Sequence, residues 1–400
     1  MKAGYNMSKN QCYLDFCTGC GLCHSICGVE LKKTEKGFLV PSDITVKQAE
    51  YLNDICMCSG AFWRECEKYS VWGPTEVPPF YAFSTNVHTR KAASSGGVLT
   101  EIAIYLLRSG YVDGIIQTRA SKDSPIRTET VVSTTEEDVL SCGGSRYTVS
   151  TPLLKLADLM ENGKKYAFIG KPCDVQSIRN WQRKNPERRM QIPYLLSFLC
   201  AGVPSIQAEQ KLLKSLNTDE ATCTKITYRG NGWPGYTVAY SAQGQTGIMS
   251  YEDSWGKILG RDVALACRFC FDGIGEAADI SCGDGWYTQD GKPDFSENEG
   301  RNIVFARTPK GLQILEELKK EKMISYEKSD MIYEELSMIQ MYQYVRRITM
   351  KDRIAALKMY RRPVPRYNAN MMKEFAKIAP FKLRIKIFGG TLKRLHEKKF

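Results

Sequence analysis

The chain has 400 residues, 43% hydrophobic and 25% charged, the balance of a globular protein that buries a core divided over two or three units. Its net charge of +12 is uneven: residues 341–400 carry 17 Lys/Arg against three acids, so the first 340 residues sum to −2. No apolar stretch reaches the ~20 residues of a membrane-spanning helix and no apolar leader opens the chain, so the expectation is a cytoplasmic protein whose thiols serve metal or redox chemistry rather than disulfides.

A cysteine-rich segment over residues 8–70 comes first, with eight of the 15 cysteines between Cys12 and Cys66. The stretch CTGCGLCHSIC (Cys17–Cys27) spaces Cys17, Cys20 and Cys23 as C-x2-C-x2-C. Three thiolates on one loop can then grip a 4Fe-4S cubane, while Gly19 and Gly21 let backbone N–H groups approach its sulfurs. Zinc sites instead pair two C-x2-C units across a longer loop. The fourth ligand is open between Cys27, which lacks the proline that follows it in bacterial ferredoxins, and the later pair Cys56 and Cys58. In two-motif ferredoxins a distant cysteine completes the first cubane, which favours Cys58. His24 is read as a surface residue.

GPTEVPP (Gly73–Pro79) reads as a linker. Beyond it strands and helices alternate, the pattern of an α/β or α+β core. Val98, Leu99, Ile102, Ala103, Leu106 and Leu107 recur at helical spacing, Tyr111–Gln117 reads as a strand, and Ser133 with Glu136 reads as a capping box. YAFIG (166–170) and YLLSFL (194–199) have the pattern of buried strands, with helices after them from Asp174 and Ser205. Residues 224–250, richer in Gly, Tyr and Thr, read as antiparallel. Cys173 and Cys200 follow the two buried strands, where open α/β sheets place their ligands, and Cys267 and Cys270 form a C-x2-C. If those strands are parallel neighbours, the four thiolates supply a second cluster. The alternative is that Cys173 and Cys200 are small buried hydrophobes, as Cys12, Cys66, Cys142, Cys223 and Cys282 are taken to be.

Four stretches in this order resemble one family: RKAASSGGVLTEIAIYLL (Arg90–Leu107), GGSRYTVSTP (Gly143–Pro152), GKPCD (Gly170–Asp174) and CRFCFDGIGEAADISCGDGWY (Cys267–Tyr287). It is the coenzyme F420 hydrogenase/dehydrogenase beta-subunit family, which includes 7-hydroxymethyl chlorophyll a reductase. The resemblance implies FAD and two 4Fe-4S clusters, the core cluster on Cys173, Cys200, Cys267 and Cys270. It also implies a flavin-phosphate loop at Ser94, Ser95, Gly96 and Gly97, small residues opening a helix. Arg90 is expected to add charge at the phosphates, and Arg146 with Tyr147 to lie near the isoalloxazine ring. CSG at Cys58, where CPG is usual, and Cys282, where an apolar residue is usual, depart from the pattern. The implied architecture is a ferredoxin-like segment, then a flavin-binding α/β core with a mixed sheet over residues 80–160 and 161–335, then a basic tail over 336–400. The implied activity passes electrons from reduced ferredoxin or another electron-transfer protein, through clusters and flavin, to a small organic acceptor. Likeness to members of surface-polysaccharide gene sets makes a sugar or lipid-linked intermediate the expected acceptor. Two other readings are a relay subunit without its own substrate and a metal-stabilised binding protein that acts through its basic tail.

In that tail, Phe381, Leu383, Ile385 and Ile387 alternate with Lys382, Arg384 and Lys386, which is strand period rather than helix period. That weakens an amphipathic membrane-surface helix, and the tail is expected to be a helical or disordered solvated extension. Its charge also suits peripheral contact with the inner face of a membrane or docking of an acidic ferredoxin; no nucleic-acid module appears.

Overall fold

The two apolar runs lie side by side and parallel, Ala167 opposite Tyr194 and Gly170 opposite Ser197, as strands covered on both faces do. This computed structural model describes residues 15–57 and 70–397. Its strands in chain order are β1 (Leu31–Lys33), β2 (Leu39–Pro41), β3 (Phe80–Ser84), β4 (Gly114–Ala120), β5 (Thr128–Ser133), β6 (Tyr166–Gly170), β7 (Tyr194–Phe198), β8 (Lys225–Thr227), β9 (Thr237–Ser241), β10 (Gly244–Met249), β11 (Ile280–Asp284), β12 (Thr288–Gln289), β13 (Lys292–Pro293), β14 (Asn302–Ala306) and β15 (Ile324–Glu327). The helices used below are α1 (Leu22–Cys27), α2 (Val98–Arg108), α3 (Pro172–Lys184), α4 (Ile206–Ser215), α5 (Pro309–Lys320), α6 (Met341–Ile348), α7 (Met350–Met359), α8 (Ala369–Ile378) and α9 (Phe381–His396).

Eight strands form one mixed sheet in the order β15-β3-β14-β11-β7-β6-β4-β5. Its centre, β4, β6, β7 and β11, is parallel, and both flanks are antiparallel. Successive side chains alternate faces. Ile115, Ala167 and Leu196 meet α2 and α5, and Ile116, Phe168 and Leu195 meet α3. The result is a helix–sheet–helix sandwich. β8, β9 and β10 make a separate antiparallel sheet, as the composition of that stretch predicts. Among the described residues no helix is long and apolar enough to cross a membrane.

Three local expectations need correction. The cap of the helix after β5 is Thr135 with Asp138, not Ser133 with Glu136. Ser133 is the last residue of β5, so its hydroxyl is taken by Gln117 across the pair. The stretch Gly73–Pro79 is stitched down rather than loose. Arg307, wholly buried, donates to the carbonyls of Trp72 and Pro74, and Glu76 N–H donates to Ala306.

The third concerns the tail, where the helical of the two expected forms holds and the solvated extension does not. α6 to α9 fold back on the molecule, and Ile348, Met350, Ile354, Leu357, Met371 and Phe375 share one apolar cluster with Phe16, Cys23 and Cys56 of the N-terminal segment and with Phe269 and Phe271. α9 buries a helical stripe, Leu383, Ile387, Thr391 and Leu395, each partly or fully covered, whereas Phe381 and Ile385 are exposed. The apolar alternation therefore straddles two helix faces. Arg384, paired with Asp352 on α7 at 2.9 Å, fixes which face turns inward.

Candidate metal centres and the adjoining cleft

Cys17, Cys20, Cys23 and Cys56 line one cavity of about 20 Å³. Cys17 and Cys20 sit on the loop leading into α1 and Cys23 in its first turn; on that loop Gly19 and Gly21 take the left-handed conformation (φ +72° and +84°) that a side chain disfavours. Gly21 is doubly required, because a Cβ there would press on the backbone of Leu154 at 3.0 Å. Leu153 N–H donates to Cys20 carbonyl at 2.9 Å, tying the loop to the core. Gly19 N–H donates to Cys17 Sγ at 3.3 Å, the backbone-to-sulfur contact for which this spacing is suited. Burial, then neighbouring thiols, pushes Cys17 and Cys23 up; for Cys20 burial is followed by the carboxylate of Asp174.

Cys173, Cys200, Cys267 and Cys270 line a second cavity of about 40 Å³. Their placement follows from the topology. Cys173 comes three residues after Gly170 at the end of β6, and Cys200 two residues after Phe198 at the end of β7, so both lie at the C-terminal edge of neighbouring parallel strands. The short helix Leu265–Arg268 and the turn after it, beyond β10, bring in the other two. Val203 N–H donates to Cys267 Sγ at 3.3 Å, and Cys200 N–H to Gly273 carbonyl at 2.8 Å. Burial raises all four thiols, Cys200 to about 11 and Cys270 to about 12, and Asp174 adds to it at Cys173; Arg346 pulls the other way at Cys200, Cys267 and Cys270, and Lys171 at Cys173, Cys200 and Cys267. Thr18 and Met57 line both cavities, and Ser177, one turn along α3 from Cys173, lines the first.

A cleft of about 810 Å³ opens beside the second cavity, and Cys200, Gly202 and Val203 line both. Ser94, Ser95 and Gly97 form part of its wall at the start of α2, and Ser94 Oγ accepts from Ser145 N–H at 2.6 Å, joining this loop to the one carrying Arg146 and Tyr147. Arg146 also lines the cleft; its Nε has no partner, and burial lowers its pKa. Tyr147 lies against Trp255 at 4.7 Å between ring centres. Lys171, paired with Asp174 at 2.7 Å, and Arg229, held by Asp284 at 2.8 Å, add two buried cations to the wall.

Two residues expected at the cleft have other employment. Arg90 donates to Gly300 carbonyl and Glu299 and lies over the Phe83 ring at 3.8 Å, so its charge is spent as a latch outside the cleft lining. Gly96 lies behind the wall, where a Cβ would strike Asn302 N at 2.7 Å and Ala82 O at 2.8 Å. Cys27 packs half-buried against the apolar cluster rather than into the first cavity, and His24 is exposed. Cys58, Cys12 and Cys66 lie outside the described residues. Cys142, Cys223 and Cys282 are in neither cage, though Cys282 and Cys142 reach the cleft wall. Sequence reasoning missed Thr18, Met57, Lys171 and Arg346. Of these only Lys171, in GKPCD beside Cys173, carries a local signal.

Family models for the N-terminal and C-terminal parts of the coenzyme F420 hydrogenase/dehydrogenase beta subunit match residues 79–158 and 163–331. The coenzyme F420 hydrogenase subunit beta of Methanococcus voltae is 25% identical over 303 residues, 72% of this chain and 99% of that protein. The chloroplastic 7-hydroxymethyl chlorophyll a reductase of Oryza sativa is 24% identical over 47% of this chain and 39% of its own length. A chain in the structure of the F420-reducing [NiFe] hydrogenase complex of Methanosarcina barkeri superposes with a TM-score of 0.58 at 21% identity, covering 74% of this chain and 98% of that one, which shows a shared fold.

Proposed function

The chain belongs to the coenzyme F420 hydrogenase/dehydrogenase beta-subunit family, and on that premise we propose an FAD-dependent iron–sulfur oxidoreductase that takes electrons from a protein carrier such as reduced ferredoxin and delivers them in pairs to a small organic acceptor. An oxidoreductase role in electron transfer is what its named relatives share. The observation that carries the finer reading is continuity: Thr18 and Met57 belong to both cysteine cages, and Cys200 to both the second cage and the cleft.

The donors fit the groups proposed for them. One tetrahedral zinc draws its thiolates to within ~4 Å of one another. Among the described residues no three or more His, Cys, Asp or Glu side chains are gathered for a single ion; four thiols around a void suit a 4Fe-4S cubane. The cleft has the volume of a cofactor site, and the unpartnered Arg146 Nε and the small-residue loop at Ser94–Gly97 suit a phosphorylated flavin. When bound, clusters pass single electrons and a flavin exchanges them for the pair an organic reduction takes.

The protein's own groups do the holding. Gly19 and Val203 N–H donate to ligand sulfurs. Phe16, Phe271 and Tyr367 in the wall of the second cage keep water out, and Lys171 and Arg346 offset thiolate charge. Arg229, clamped by Asp284 and stacked near Trp286, gives the cleft a rigid cationic side. Iron, sulfide and flavin are to be quantified on protein purified without oxygen. About eight irons for two cubanes with releasable FAD are expected; a colourless, zinc-loaded protein would refute the reading and favour a metal-stabilised binding protein.

A further inference from the structure

Not all the basic residues of the C-terminal segment face water. Arg346 on α6 is 1% exposed and lines the second cage. Its guanidinium donates to the carbonyls of Cys200 at 3.2 Å and Cys267 at 3.3 Å and to the Gln343 side chain, and its Nε has no partner. The site is shaped around it: a Cβ at Gly273 would collide with the guanidinium.

Its charge is handled unlike that of three other buried cations around the cages and the cleft. Arg347 sits against Glu276, Arg229 against Asp284 and Lys171 against Asp174. Among the described residues no carboxylate lies within ion-pair distance of Arg346; its cavity is shared by the thiols of Cys173, Cys200, Cys267 and Cys270 and by Asp272, whose carboxylate accepts from the N–H groups of Ile274, Gly275 and Glu276 instead. A buried cation without a counter-charge is costly, so the wall makes sense if the cage itself is anionic. A cubane held by four thiolates is, and it gains a further negative charge on reduction, which a fixed cation favours. The carboxylate of Asp174 acts on both cages, at Cys20 and at Cys173, so the cations Arg346 and Lys171 are what set the second cage apart. Arg346 also lies beyond residue 331, where the family models stop matching.

We propose that Arg346 is the fixed counter-charge of the second cage, a positioning residue that raises the reduction potential of the cluster there and makes that cage the downhill neighbour of the first. This rests on the proposed function: one electron leaves the first cluster, which is oxidised, and enters the second, which is reduced.

Redox titration of the anaerobically purified full-length holoprotein, followed by electron paramagnetic resonance, tests it with Arg346→Gln and Arg346→Lys. Each variant is read in the otherwise wild-type protein, for both midpoints, and again on a Cys56→Ser background that isolates the second cluster's signal. Arg346→Gln is expected to keep its iron and flavin while the second midpoint moves to lower potential and the first stays put; Arg346→Lys is expected to restore most of the wild-type value. An unshifted midpoint in Arg346→Gln, or equal shifts in both variants, overturns the proposal. If Arg346→Gln fails to hold iron, Arg346→Lys decides: a wild-type midpoint supports a charge role, and a displaced midpoint or lost iron sinks it. Absence of iron from the wild-type protein is the separate outcome that sinks the functional reading.

Discussion

The two cysteine cages are built by opposite means. The first takes three of its thiols from seven consecutive residues, Cys17–Cys23, and has Cys56 in the same wall. The second collects Cys173 and Cys200 from two strand ends and Cys267 and Cys270 from a short helix and turn some seventy residues on. The electrostatics differ as well: Asp174 acts on thiols of both cages, but Lys171 and Arg346 face only the second. A local motif fixes which atoms ligate, but the long-range fold decides what charge they feel. The cage that depends on the sheet is the one the protein can bias and the one that adjoins the cleft.

The largest expected effect comes from breaking the second cage. Cys200 is the shared wall, so Cys200→Ser should lower iron from about eight to about four per chain and stop a protein carrier from reducing the flavin, while flavin content holds. Cys56→Ser should lower iron by the same amount, yet leave flavin reduction by a small chemical reductant intact, because the second cage and the cleft are untouched. Rapid-mixing absorbance at flavin and cluster wavelengths separates the two. Equal loss of chemical flavin reduction in both variants would count against a linear order of cages.

Much of this contrast is legible in the sequence, for identifiable reasons. Cys17, Cys20 and Cys23 announce themselves because their geometry is local. Cys173 and Cys200 are legible because apolar runs mark parallel strands and parallel strands place ligands at their C-terminal ends. What is hidden depends on where distant chain comes to rest. Arg346 reads as one of many charges in a basic tail until α6 is seen against Gly273, and Met57 means nothing until it is seen in the walls of both cages. The alternation from Phe381 to Ile387 misleads because α9 leaves Phe381 and Ile385 outside, so apolar residues occupy both faces. Arg90 is in the right stretch, but its guanidinium is consumed by Glu299 and Gly300.

A smaller effect tests whether the C-terminal segment belongs to the cages or only covers them. Phe375, 1% exposed, stacks on Phe271 at 5.8 Å and shares its cluster with Cys23 and Cys56. Phe375→Ala removes a buried ring and should destabilise that packing by about 3–5 kcal/mol. Proteolysis of the holoprotein should then cut within residues 341–397 sooner, with iron lost in step, while fragments of the main sheet persist. Faster cleavage with full retention of iron would show that the segment is a cover alone.

The smallest expected effect is the sharpest test of how the first cage closes. Cys27 has the sequence offset of a ferredoxin ligand, but its half-buried side chain packs with Leu31 and Ile26 in the apolar cluster, and burial followed by Cys56 raises its thiol to about 11. Its carbonyl is held by Gln48 Nε2 at 2.9 Å, which anchors the end of α1 away from the cavity. Cys56 instead lies in the cavity wall, and its neighbour Met57 reaches the second cage. Cys27→Ser should therefore leave iron content and the cluster spectrum unchanged where Cys56→Ser removes half the iron. Loss of iron in Cys27→Ser with retention in Cys56→Ser would reassign the fourth ligand. It would also remove the reason for Met57 to stand between the cages, since the loop that carries it would no longer be pinned by a ligand.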